Sequence, residues 1–180
     1  MPHSKLRAAL GKIRQAAGLA LLAAGAGVLP PAGVSGGAAV PDGPARAAIV
    51  LNIIRFVDFG VYSGPLYLCV SRATITAPAV LALGGKRVGV RPIALRELSG
   101  AAATCDVVYL TADEAYAISR VHQPGVLVIG DGSGFIEAGG TIGLVGTGSQ
   151  IRFEANTRAA AQAQIKLSSK LLRLAARIRS

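Results

Sequence analysis

The stretch Gly130-Asp131-Gly132-Ser133-Gly134-Phe135 carries the densest chemistry in this chain, because serial glycines free backbone N–H groups to face an anion. It lacks the Gly-Lys-Ser/Thr ending of a phosphate loop, and its glycines do not fit the dinucleotide fingerprint that opens a helix after the first strand. A tight structural turn accounts for it better. Asp131 and Gly132 stay as candidates for a small-molecule cleft at the strand ends. Ser133 is not set in a nucleophile elbow, and Asp131 has no base nearby in sequence to complete a triad. Asp131 and Glu154 could converge as a carboxylate pair, although ordinary loop and strand polar groups are the simpler account. His122 is the one histidine past the N-terminal stretch, so no metal-ligand cluster is visible. Nothing in the residues argues for catalysis, a metal or a cofactor.

Cys69 and Cys105 are the two cysteines, each in or beside an apolar run, Leu66–Val70 and Asp106–Leu110. Such runs read as core strands, and neighbouring parallel strands could bring the sulfurs together. An even count in an exported chain favours a disulfide, with two buried thiols as the alternative. Export itself is read from the N-terminus. Lys5, Arg7, Lys12 and Arg14 form a positive head, Ala16–Leu29 an apolar middle, and small residues follow Pro30-Pro31 as far as Ala39. Residues 1–39 are therefore expected to be a cleaved signal peptide, since the apolar run is shorter than the roughly 20 residues of a membrane span.

The full chain carries a formal charge of +10, with nineteen Lys and Arg against nine Asp and Glu. Removing the leader takes away four cations and no acid, leaving fifteen against nine and a net +6. The basic pI of about 10.5 thus overstates the exported domain. Nucleic acid is a poor partner for an exported chain with no tryptophan and few aromatics to stack bases.

Residues 40–180 have the size of one domain. Pro44–Phe59 reads as a helix apolar on most sides, which belongs in a core or an interface. Strands are expected over Tyr67–Ser71, Val88–Leu98, Cys105–Leu110 and Val126–Ile129, with a short helix over Ala77–Leu83 ended by Gly84-Gly85. Thr111 and Glu114 form a capping-box signature for a helix from Ala112 to about His122. Thr141–Val145 and Gln150–Ala155 flank Gly146-Thr147-Gly148-Ser149 as a hairpin. The fold class is α/β, a mostly parallel sheet flanked by helices, with a C-terminal β-hairpin and a long final helix over Thr157–Arg179. On that helix Leu167, Leu171, Leu174 and Ile178 would face inward. Lys166, Lys170, Arg173 and Arg177 would form a basic stripe about 100° away, either solvated or docking anionic lipid headgroups or an acidic partner.

The order of these segments resembles the YfiR family of small periplasmic proteins over nearly the whole exported chain. Asn52–Phe59 looks like its first helix, and Leu68-Cys69-Val70 and Cys105–Leu110 like its cysteine-bearing strands. Val128–Phe135, Gly139–Ile142, Ile151–Asn156 and Leu167–Leu172 follow in the family's order and spacing. The resemblance implies a non-enzymatic periplasmic homodimer that binds the outward-facing part of an inner-membrane diguanylate cyclase or sensor kinase. Such a protein restrains its partner and lowers cyclic di-GMP signalling. Arg152, Phe153, Glu154 and Lys170 are the candidate partner-binding residues, with peripheral contact to the membrane surface as a further expectation. This chain has Phe59-Gly60 where the family's first helix ends in Trp-Pro, and its hairpin lacks the further cysteine pair of some relatives.

Overall fold

The computed structural model describes residues 42–180 apart from 61–62, 76–77, 101 and 147–149. The leader, residues 1–39, and the tip of the hairpin therefore lie outside the described residues. Helix α1 (Asp42–Arg55) opens the domain with an acidic first turn and a basic last turn, charges that suit its dipole. It buries Val50, Ile53 and Ile54 on one side. The helix ends earlier than its apolar pattern predicts, because Val57–Asp58 (β1) leaves it to pair with a distant segment.

Strand β2 (Leu66–Val70) is followed by two short helices, α2 (Arg72–Ile75) and α3 (Pro78–Leu81), in place of the single one expected. The second predicted strand divides into β3 (Arg87–Val88) and β4 (Arg91–Glu97), an antiparallel pair at the sheet edge. Pro92 is tolerated there, opposite Arg87 of the outermost strand. Strand β5 (Val107–Leu110) leads to a 3₁₀ segment (Ala112–Ala117) and α4 (Ile118–Val121). The Glu114 carboxylate accepts from the Thr111 N–H at 2.9 Å, so the capping box forms. Strands β6 (Leu127–Asp131), β7 (Ile142–Val145) and β8 (Arg152–Asn156) follow, the last two as the expected antiparallel hairpin.

The sheet order is β10 (Arg177–Arg179), then β8-β7-β6-β5-β2-β4-β3, with β4, β2, β5, β6 and β7 mutually parallel. Alternation along these strands builds two cores. Leu66, Leu68, Val70, Val107, Tyr109, Leu127 and Ile129 pack against α1 and α3 on one face. Cys69, Val108, Leu110 and Val128 pack against α4 and Phe135 on the other. Cys69 and Cys105 are joined by a disulfide with Cα atoms 5.9 Å apart, tying β2 to the approach to β5. At the same end Asp106 accepts from the Tyr67 N–H at 2.7 Å and pairs with Arg91 at 3.0 Å.

The long final helix does not form. Helix α5 stops at Gln162 (Thr157–Gln162), capped by Asn156, whose side chain accepts from the Ala159 N–H and donates to the Ile136 carbonyl. Gln164 then takes a left-handed φ of 56°, which a continuing helix does not allow. Lys166–Leu167 (β9) pairs antiparallel with β1, a one-turn helix α6 spans Ser169–Leu172, and Arg177–Arg179 (β10) adds parallel to β8. The inward face dissolves with the helix: Leu171 is 2% exposed, whereas Leu174 is 69% and Ile178 47% exposed. The basic stripe dissolves too, since Lys166 sits on β9, Lys170 and Arg173 on α6 and its C-cap, and Arg177 on β10.

Candidate functional site

Two places gather functional side chains. The first lies at the carboxyl ends of the parallel strands. Residues 107 and 109 of β5, and 127 and 129 of β6, face α1, so the same parity carries the Tyr109 hydroxyl and the Asp131 carboxylate to that side. Tyr109 donates to Asp131 Oδ2 at 2.5 Å, and Arg46 of α1 donates to Oδ1 at 2.5 Å and to the Gly146 carbonyl at 2.8 Å. Burial first, then the hydrogen bond and charge of Asp131, push the Tyr109 phenol far above its usual range, outweighing the pull of Arg46. Glu114 stands by the next rung. Burial opposes its charge, but hydrogen bonds from Ser71 and from the backbone and hydroxyl of Thr111 prevail and hold its carboxyl below the usual range.

Asp131 is thus placed at the strand ends, as expected of a cleft residue, with both oxygens already engaged. Gly132 serves the turn: its φ is 105° and its N–H donates to the Leu144 carbonyl at 2.9 Å. The glycines around it make room for Phe135, whose ring a Cβ at Gly130 or Gly140 would overlap. The motif is a slot for an aromatic ring. Sequence reading missed Arg46 and Tyr109. A lone tyrosine in an all-buried strand needs a hydroxyl partner, and that was the available signal.

The second place is a groove of about 270 Å³ between α1, β8 and α6. Ile49, Ile53 and Phe56 supply one wall, Phe153 and Leu171 the floor, and Arg152 and Leu174 the far side. Phe56 is 39% exposed there. Arg152 and Phe153 are therefore brought together. Glu154 does not line the groove: it pairs with Arg177 at 2.6 Å, while Arg177 also pairs with Glu137. Lys170 is exposed on α6, next to Leu171 in sequence, and Arg173 flanks Leu174. Arg152, Lys170 and Arg173 form no ion pair among the described residues.

Among the described residues, no three His, Cys, Asp or Glu side chains gather as metal ligands would. No helix there is long and apolar enough to cross a membrane.

No curated protein matches this sequence. A solved structure described as a conserved domain protein from Vibrio cholerae O1 biovar El Tor strain N16961 is similar at 12% identity and a TM-score of 0.45. The likeness covers 78% of this chain and 61% of that one, so the chain spans about three fifths of that protein's length. Residues 44–176 match the family described as YfiR/HmsC-like, and with the cysteine-bearing strands, the glycine slot and the hairpin all in the expected order, the chain belongs to that family.

Proposed function

We propose that this protein is a non-enzymatic periplasmic regulator that seats a segment of the outward-facing part of a membrane diguanylate cyclase in the groove between α1, β8 and α6. Held there, the cyclase is restrained and cyclic di-GMP inside the cell falls. Family membership supports a periplasmic regulator of this kind, and the Cys69–Cys105 disulfide suits an oxidising compartment. The observation that carries the docking assignment is the groove itself. Its exposed apolar surface centres on Phe56 and Leu174, Arg152 lines it, and the exposed cations Lys170 and Arg173 neighbour its Leu171 and Leu174 in sequence. Apolar anchors inside a polar rim are how protein interfaces concentrate their energy. The complementary segment is apolar with acidic flanks. The homodimer implied by the resemblance is part of this reading.

The test uses the periplasmic segment of the candidate cyclase in a pull-down, with cellular cyclic di-GMP as the second readout. Leu174→Asp and Phe56→Ser remove exposed apolar anchors, so binding should weaken by about tenfold or more and cyclic di-GMP should rise. Arg152→Glu with Lys170→Glu should weaken binding most at low salt. The proposal is sunk if all these variants keep their thermal midpoint and leave both pull-down and cyclic di-GMP unchanged. Glu154 is left out of the test because its substitution would break the pair with Arg177.

A further inference from the structure

Beside Arg46 lies an apolar cavity of about 150 Å³ that the docking groove does not use. Val50 of α1, Leu68 and Val70 of β2, and Val80 and Leu83 around α3 form its walls. Tyr109, Thr111 and Arg46 bring the polar atoms to its rim.

Size is the first indication that this is a site. Protein interiors are close-packed and hold few voids larger than a water molecule. A crevice of about 150 Å³ lined by aliphatic side chains has room for a ring the size of benzene. Position is the second indication, and it is independent of the first. In the order β4-β2-β5-β6, the chain leaves β2 for β4 on one side and then returns past β2 to β5 on the other. The crossovers that leave these two strands use opposite faces: Val80 and Leu83, between β2 and β4, pack with α1, whereas Ile118 and Val121 of α4, between β5 and β6, pack behind the sheet. The crevice between the carboxyl ends of β2 and β5 is therefore a topological switch point, where open α/β sheets hold their ligands. Leu68, Val70, Tyr109 and Thr111 line the cavity from those two strand ends.

The rim decides the charge of the occupant. Arg46 is matched by Asp131 at 2.5 Å, and the second Asp131 oxygen accepts a hydrogen bond from the Tyr109 hydroxyl. No unbalanced charge is left among the lining residues to receive an ion, and a buried unpaired carboxylate is strongly disfavoured. We propose that this crevice binds a small uncharged molecule, mostly apolar and about the size of a single six-membered ring, with one hydrogen-bonding substituent toward Arg46, Tyr109 and Thr111. The proposal stands apart from the docking reading, and either can fail alone.

Benzene and benzyl alcohol are suitable probes, with benzoate as the charged counterpart, read by methyl NMR of the purified chain. Benzyl alcohol at millimolar concentration should give saturable shifts at the methyls of Val50, Leu68, Val70, Val80 and Leu83. Benzoate should bind about tenfold more weakly or worse. Ala47→Leu fills the cavity from α1 and should abolish the shifts while keeping the thermal midpoint. Should that variant not fold, Thr74→Leu fills it from α2. Absence of saturable shifts with both neutral probes overturns the site, as do shifts that persist in a folded filled variant. Benzoate binding as tightly as benzyl alcohol overturns the assignment of an uncharged ligand.

Discussion

Every residue of β5 is buried, so the Tyr109 hydroxyl would be stranded in the core without the Asp131 carboxylate. The arrangement makes stability depend on pH at the alkaline end. Burial and Asp131 raise the phenol's pKa in the folded chain, while in the unfolded chain it stays near 10. The stabilisation is thus fully present below about pH 10 and is lost as pH rises further, because the unfolded state ionises there and the folded state does not. Unfolding free energies from denaturant titrations between pH 8 and pH 11 should fall for the native chain by up to about 1.4 kcal/mol per pH unit beyond what Tyr109→Phe shows. Parallel profiles for the two proteins would refute this role. Asp131 was legible in the sequence as a polar residue at a strand end, but its partners were not. Arg46 lies 85 positions earlier on another element, and no local pattern joins the two.

Elements were legible where local chemistry and tertiary placement agree. The capping box at Thr111, the hairpin and the cysteine-bearing strands are of this kind. The segment after Thr157 is not. Its leucines recur at helical spacing, yet the edges of β1 and β8 offer backbone partners that a helix would leave unpaired, and Lys166–Leu167 and Arg177–Arg179 take them. Which edges stand open is a property of the assembled sheet and cannot be read from the segment alone. The disulfide acts at the same scale. It closes a separation of 36 residues, enclosing α2, α3, β3 and β4, the whole crossover that carries one wall of the apolar cavity. Constraint of the unfolded chain by a loop of that length is worth roughly 4 kcal/mol in the entropic description. Replacing both cysteines by alanine should lower the unfolding free energy by about 2–4 kcal/mol, and the denaturant midpoint reports it. A loss under about 1 kcal/mol would mean that the crossover is held without the bridge.

The fold class of the whole molecule could be read because apolar runs alternate with helical signals, which an α/β sheet with parallel core strands requires. The meeting of α1 with both candidate sites could not. Arg46, Ala47 and Val50 of that helix line the strand-end cavity, while Ile49 and Ile53, with Phe56 just past its end, line the groove. A ligand in the first and a partner in the second both press on one fourteen-residue helix. Their binding free energies should therefore be coupled, and coupling at equilibrium is reciprocal. Calorimetric titration of the cyclase's periplasmic segment, with and without saturating benzyl alcohol, should show affinities that differ by about fivefold or more. The affinity for benzyl alcohol should then change by the same factor when the partner is present. Ala47→Leu, which occupies the cavity permanently, should hold the partner affinity at one value whether or not benzyl alcohol is added. Equal affinities in all titrations of the native chain would show that α1 transmits nothing between the two places, and would leave each to be judged by its own binding test.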